Sequence, residues 1–284
     1  MRYATLAALI LVMLAEPTAA DPAGTLKKIK DSKTMVLGYR ESSPPFSFVG
    51  DDGKPAGYSV DLCLRIAEAV QKELAVPDLR VQWVKVTPED RIKSVVDQKI
   101  DLECGSTTNS LSRQEQVDFT ITTFVDGGSL LTKDGSSIDG VKDLDGKKVG
   151  IVRGTTTETA LGVAMREQRV SAEMVIVKDH AEGLAALEAG RADAYASDRS
   201  ILIGLGRRSK DPTKLALAME MFSYEPYGLM LRRGDADFRL TANRTLSRLF
   251  RSDDLPRIYI KWFRDIGRPS PVLLLMYAIT AVPD

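Results

Sequence analysis

The stretch from Asp101 to Arg113, DLECGSTTNSLSR, concentrates the groups best suited to hold a small charged molecule. An apolar half-strand, Ile100 to Cys104, breaks at Gly105; Ser106, Thr107 and Thr108 follow, and Arg113 stands five residues beyond Thr108. Gly105 permits a backbone turn that a side chain would hinder. Hydroxyls both donate and accept hydrogen bonds, and a guanidinium forks onto a carboxylate through two parallel bonds. Together they suit a zwitterion with a carboxylate at one end. Ser, Thr and Asn also favour ordinary turns, so the reading rests on what positions them.

The spacing predicts a strand over Thr34–Tyr39 ending at Arg40, then a helix from Val60 to Leu74 with Ser59 as its N-cap and one apolar stripe. Leu79 to Val86 reads as a second strand, and Asp90 as the cap of a short helix, Arg91 to Gln98, leading to the strand that ends at Cys104. A second block repeats this layout. Lys147–Val152 is a strand, Glu158–Arg166 a helix, Met174–Val177 a strand, Ala181–Ala189 a helix, and Arg191–Ala196 a strand stopping at Ser197-Asp198. Alternating strands and helices predict an α/β fold with mainly parallel sheets. Lys99–Ser106 matches Arg191–Asp198 position for position, so the blocks read as two lobes of like construction.

In open α/β sheets ligands sit beyond the carboxyl ends of the strands. That aims Arg40, Ser106 and Arg113 into a gap from one lobe and Thr156, His180 and Asp198 from the other. The β-rich runs 119–132 and 221–232 read as a crossing and a return, a two-strand hinge. The expected divisions are 25–125 for the first part of lobe 1, 126–224 for lobe 2, 225–265 for the return to lobe 1, and 266–284 for a tail. Its apolar run, Pro271–Thr280, is too short to span a membrane and is expected to pack on a lobe.

Residues 1–20 read as an export signal: Arg2, an apolar run over Ala4–Ala15, then small residues before Asp21. Cleavage there would release the mature chain into the periplasm. With 39 basic and 39 acidic side chains, nothing steers the protein toward nucleic acid. Cys63 and Cys104 could form a bridge or lie buried as thiols, and two cysteines with one histidine give no zinc spacing. No metal or cofactor is expected.

The words YRESSPPFSF, GYSVDL, DLECGSTTNSLSRQ, LLTKDG, RGTTTET, VKDHAEGLAALEAGRADAYASD and EPYGLMLR run in order from Tyr39 to Arg232. They resemble the periplasmic amino-acid-binding proteins of ABC importers, family 3 of the bacterial solute-binding proteins, and most of all its glutamate/aspartate-binding members. The resemblance implies a two-lobed periplasmic binding protein of type II-like layout, a monomer that closes on an amino acid and delivers it to ABC permease subunits in the membrane. It also implies roles. Arg113, with Thr108, grips the α-carboxylate, which Thr156 holds from the other lobe. Asp198 takes the α-ammonium with Ser106 beside it, and Arg40, Arg91 and His180 receive the side-chain carboxylate. Two arginines and an imidazole in one place repel one another until an acidic guest answers them. Pro88 stands where such members can carry a contact serine, and Ser59 where the family usually has an acid. A glutamine/asparagine binder of the same family is the alternative. An enzyme on this fold, such as a dehydratase, would need a general acid or base, for which His180 is the sole histidine candidate.

Overall fold

A computed structural model describes residues 23–283 of the protein, so the expected export signal lies outside the described residues. Helix α1 (Gly24–Ser32) leads into strand β1 (Thr34–Tyr39) and a small ribbon, β2 (Ser42–Ser43), β3 (Ser47–Val49) and β4 (Pro55–Ala56). Then come α2 (Tyr58–Glu73), β5 (Arg80–Lys85), α3 (Arg91–Val96), β6 (Leu102–Glu103), α4 (Leu111–Gln114) and β7 (Val117–Phe119). Strand β8 (Phe124–Asp126) crosses to β9 (Gly128–Lys133), β10 (Lys148–Val152), α5 (Thr156–Gln168), β11 (Glu173–Val177), α6 (His180–Glu188), β12 (Ala194–Asp198), α7 (Arg199–Arg207) and β13 (Leu215–Leu217). The chain returns through β14 (Glu225–Tyr227) to β15 (Met230–Arg232), α8 (Ala236–Phe250), α9 (Asp254–Phe263) and α10 (Pro271–Thr280).

Two five-stranded sheets result, ordered β5-β1-β6-β15-β7 and β11-β10-β12-β9-β13. Three neighbouring strands of each pair parallel, as the strand–helix alternation predicts. The fourth in order, β15 in one sheet and β9 in the other, is antiparallel to both its neighbours. Four of the five strands in each sheet therefore run the same way, and one is reversed. The reason is connectivity: β9 and β15 arrive from the opposite lobe without the helical crossover that a parallel neighbour needs. The two crossing strands pair with one another, Asp126 opposite Glu225 and Phe124 opposite Tyr227.

Beside this crossing lies an aromatic knot. Phe46 packs on Phe124, Tyr227 and Phe263 with ring centroids 4.9, 5.0 and 5.6 Å apart, separations typical of edge-to-face pairs. Phe46 and Tyr58 are fully buried core residues. Helix α2 starts earlier than expected: Gly57, not Ser59, is the N-cap, at φ +133°. A Cβ there would lie 2.2 Å from the Phe46 carbonyl oxygen, so only glycine fits, and Ser59 is buried inside the first turn. The sulfurs of Cys63 and Cys104 are joined, tying α2 to the end of β6.

The tail forms a helix that sequence periodicity did not specify. Ser270 caps α10, its Oγ accepting from the Leu273 N–H at 3.1 Å. Leu273, Met276 and Tyr277 are buried, and the Tyr277 hydroxyl meets that of Tyr58 at 2.8 Å. Tyr58 in turn donates to the Thr123 carbonyl at 3.0 Å, just before the crossing strand. The tail thus packs on the first lobe next to the crossing. Among the described residues no helix is long and apolar enough to cross a membrane.

Candidate functional site

Each expected site residue stands where regular structure ends. Arg40 follows β1, and its N–H donates to the Ser47 hydroxyl at 2.9 Å. Ser106 and Thr108 follow β6, and Arg113 lies on α4, whose Ser110 Oγ accepts from the Arg113 N–H. Arg91 opens α3, Thr156 opens α5, His180 opens α6, and Asp198 closes β12. All eight line one cavity, together with Thr155, Thr157, Ser197 and Ile201. The free space left among them is only about 20 Å³, far below the ~300–1,000 Å³ usual for small-molecule sites, so the side chains stand closed in on one another.

Arg40, Arg91 and Arg113 are all buried, at 4%, 3% and 8% exposure. Burial lowers the proton affinity of each, because the charged form loses its water. For Arg91 the pKa falls to about 9, with the Arg40 and Arg113 charges adding to the effect of burial. Asp90 does not relieve it. That carboxylate turns back to the Thr87 N–H at 2.7 Å and makes no side-chain cap on α3. A buried cation therefore stands at a helix start with no side-chain anion capping the turn.

His180 differs from its expected role in one respect. Burial first, then Arg40 and Arg91, push its pKa down to about 3, so the imidazole is neutral and adds no third cation. Its Nδ1 meets the Tyr195 hydroxyl at 2.6 Å and the Ser197 Oγ at 3.4 Å. When Nδ1 accepts from the phenol, the proton resides on Nε2 and His180 offers a neutral donor.

Arg113 Nη1 donates to the Thr108 carbonyl at 2.8 Å, so Thr108 supports the guanidinium. The Thr108 and Thr156 hydroxyls donate to Glu225 Oε2 at 2.5 and 2.6 Å. What remains for an anion beside Arg113 is the first turn of α5, where backbone N–H groups and the helix dipole favour negative charge. Asp198 accepts from the Thr157 hydroxyl at 2.8 Å and from the Tyr227 hydroxyl. Its pKa rises to about 6, from burial first and then from the Glu225 charge.

Two carboxylates in this region went unassigned from sequence. Glu103 is fully buried, and neither of its oxygens has a protein hydrogen-bond partner; Arg91 Nε is likewise unpartnered. The Glu103 charge acts on Arg40, Arg91 and Arg113 together. Gly105 makes room for it, since a Cβ there would fall 2.1 Å from Glu103 Oε1. Gly105 thus serves by its size, and its backbone is not in the left-handed region. The second carboxylate, Glu225, has the hydroxyls of Thr108, Thr156 and Ser223 around it. The available signal was an acid inside an apolar run, Leu102-Glu103-Cys104 and Glu225 before Pro226-Tyr227-Gly228-Leu229. Among the described residues no cluster of His, Cys, Asp or Glu could hold a metal.

Comparison with known proteins bears on this geometry. Residues 35–265 match the family model of bacterial extracellular solute-binding proteins, family 3. An L-glutamate/L-aspartate-binding protein of Pseudomonas aeruginosa is 41% identical over 258 residues, covering 90% of this chain and 85% of that protein. A glutamate/aspartate import solute-binding protein of Escherichia coli is 38% identical over 264 residues, covering 92% and 87%. Among solved structures, an ancestral arginine-binding protein bound to glutamine superposes with a TM-score of 0.73 at 27% identity, covering 81% of this chain and 98% of that one. An ancestral amino-acid-binding protein described as a precursor of cyclohexadienyl dehydratase gives 0.71 at 25% identity, covering 85% and 100%.

Proposed function

The chain belongs to family 3 of the bacterial extracellular solute-binding proteins, and from that premise we propose that it captures glutamate or aspartate outside the cytoplasm and delivers it to an ABC permease. The observation that carries this reading is the polarity of the cavity: buried Arg40 and Arg91 with a neutral His180, then Arg113, then Asp198. An acidic amino acid presents the matching sequence of side-chain carboxylate, α-carboxylate and ammonium. Arg113 and the first turn of α5 take the α-carboxylate, Asp198 and Ser106 the ammonium, and Arg40, Arg91 and His180 the second carboxylate. Charge-assisted hydrogen bonds of this kind contribute roughly 1.5–3 kcal/mol each.

The lobes, 25–125 with 225–265 and 126–224, close about β8 and β14, and the ligand favours the closed form by touching both at once. Residues 1–20 are removed on export, and the mature protein acts as a periplasmic monomer that presents its closed form to the permease. The relatives are named as binding proteins rather than enzymes. The chemistry agrees with that: an imidazole whose pKa is held at about 3 is a poor general base near neutral pH.

Calorimetric titration of refolded, ligand-stripped protein against the twenty amino acids tests the reading. Glutamate and aspartate should bind, with glutamine and asparagine at least tenfold weaker, because an amide leaves the buried arginine charges unanswered. Equal affinity for glutamate and glutamine would overturn it.

A further inference from the structure

We infer that Glu225 is a positioning residue that sets the direction of the Thr108 and Thr156 hydroxyls and so makes the cavity demand a charged amine on its guest. The inference rests on the acidic amino-acid reading and extends it. A threonine hydroxyl carries one proton and two lone pairs, whereas an ionised carboxylate only accepts. Thr108 Oγ1 and Thr156 Oγ1 stand 2.5 and 2.6 Å from one atom, Glu225 Oε2, and 3.1 Å from each other. Both protons therefore point at Glu225, and what the two hydroxyls show the cavity is lone pairs. A surface of lone pairs accepts from an ammonium and repels a carboxylate.

Glu225 does not itself line the cavity; the two threonines do, and Glu225 is 1% exposed behind them. Its carboxylate is held from the other side, the Ser223 hydroxyl donating to Oε1 at 2.7 Å. The backbone is fixed as well, since Glu225 pairs with Asp126 on the crossing strands. Thr108 comes from the first lobe, Thr156 from the second and Glu225 from the return strand between them. The arrangement therefore exists only when both lobes present their threonine to the same oxygen. Asp198 lies in the same electrostatic neighbourhood and responds to the Glu225 charge. The ammonium would face Asp198 directly and Glu225 through the two hydroxyls.

Replacing the carboxylate by its neutral isostere separates this role from packing. In Glu225→Gln the amide keeps the volume but loses the charge, and an NH₂ turned toward the threonines would reverse their hydroxyls. The measurement is the affinity for glutamate and for glutarate, the same dicarboxylate without the amine, by calorimetry on ligand-stripped full-length mature protein. The wild type should prefer glutamate, and the variant should narrow that preference at least tenfold, with glutamate losing affinity and glutarate nearly unchanged. A purely structural role would weaken both alike. If circular dichroism shows that Glu225→Gln does not fold, Thr156→Val is titrated with the same pair. Selective loss of glutamate supports the inference, and equal loss overturns it. Wild-type binding of glutamate with an unchanged ratio in the variant overturns this inference alone. A wild type that binds no acidic amino acid overturns the reading beneath it.

Discussion

Replacing Arg91 by methionine should make the ligand-free protein more stable while weakening its grip on glutamate. Arg91 is 3% exposed, its Nε has no hydrogen-bond partner, and burial with the nearby Arg40 and Arg113 charges lowers its pKa from the ordinary guanidinium value to about 9. A base whose pKa falls on folding is penalised in the folded state wherever both states are charged. The full penalty is thus present below pH 9 and is relieved as pH rises from about 9 toward the ordinary guanidinium value. The gap between the two corresponds to roughly 5 kcal/mol at ~1.4 kcal/mol per pH unit. Methionine is flexible and fills irregular apolar space, so most of the stem's packing survives. Allowing roughly 1–3 kcal/mol for the hydrogen bonds and packing that methionine does not replace, the net gain at pH 7 is about 2–4 kcal/mol. For a chain of this size that is a rise in Tm of roughly 5–10 °C, readable by calorimetry on refolded protein. Glutamate affinity should fall in the same variant, and the discrimination against glutamine with it. The opposite sign would refute the reasoning: breaking a satisfied buried ion pair with Glu103 should destabilise by roughly 3–5 kcal/mol.

Two further outcomes follow from the same geometry. Asp198, its pKa raised to about 6, must be ionised to hold an ammonium, so below that pH binding has to expel a proton; glutamate affinity should drop roughly tenfold from pH 7 to pH 5, and a flat calorimetric profile over that range would count against Asp198 as the ammonium acceptor. The Cys63–Cys104 bridge closes a separation of 41 residues, for which loop-closure entropy gives about 4 kcal/mol; the double alanine variant should lose most of that in urea unfolding, and a loss under ~1 kcal/mol would contradict it.

That Arg40, Ser106, Arg113, Thr156, His180 and Asp198 meet at one cavity was legible from a local rule, whereas Arg91 entered through the family resemblance. An apolar run gives way to a polar residue at a strand end or helix start, as at Ile100–Cys104 before Ser106, Lys147–Val152 before Thr156 and Met174–Val177 before His180. The strand–helix alternation carried the fold class in the same way. What did not read through depends on distant partners. Glu225 is explained by Thr108 and Thr156, which lie 117 and 69 residues away. Glu103 is explained by three arginines and by the space at Gly105. The cap of α2 moved from Ser59 to Gly57 because the Phe46 carbonyl approaches too closely for any side chain. Helix α10 is held by Tyr277 meeting Tyr58 across 219 residues, and its own sequence, PVLLLMYAIT, carries no clear polar face to mark it. The one reversed strand of each sheet, β15 and β9, was hidden for a topological reason, since its direction follows from its arriving from the other lobe.

The distribution of charge explains why such a cavity can be selective without being large. The acids are not spread evenly among the arginines. Glu103 sits with Arg40, Arg91 and Arg113, where it tempers their mutual repulsion. Asp198, Glu225 and Asp126 gather where β12 meets the crossing strands. Asp126 Oδ2 accepts from the Ser200 N–H at 3.0 Å, in the first turn of α7, the helix that begins directly after Asp198. The crossing strands are therefore bonded into the acidic end of the site as well as joining the lobes. A guest that places its carboxylates toward the arginines and its ammonium toward the acids meets favourable charge at both ends. A guest of reversed or missing charge meets a buried group of like sign or one left unanswered, and in a dry site that costs more than a missing apolar neighbour. Selectivity then comes from alignment of a fixed set of charges contributed by the strand ends and helix starts of both sheets.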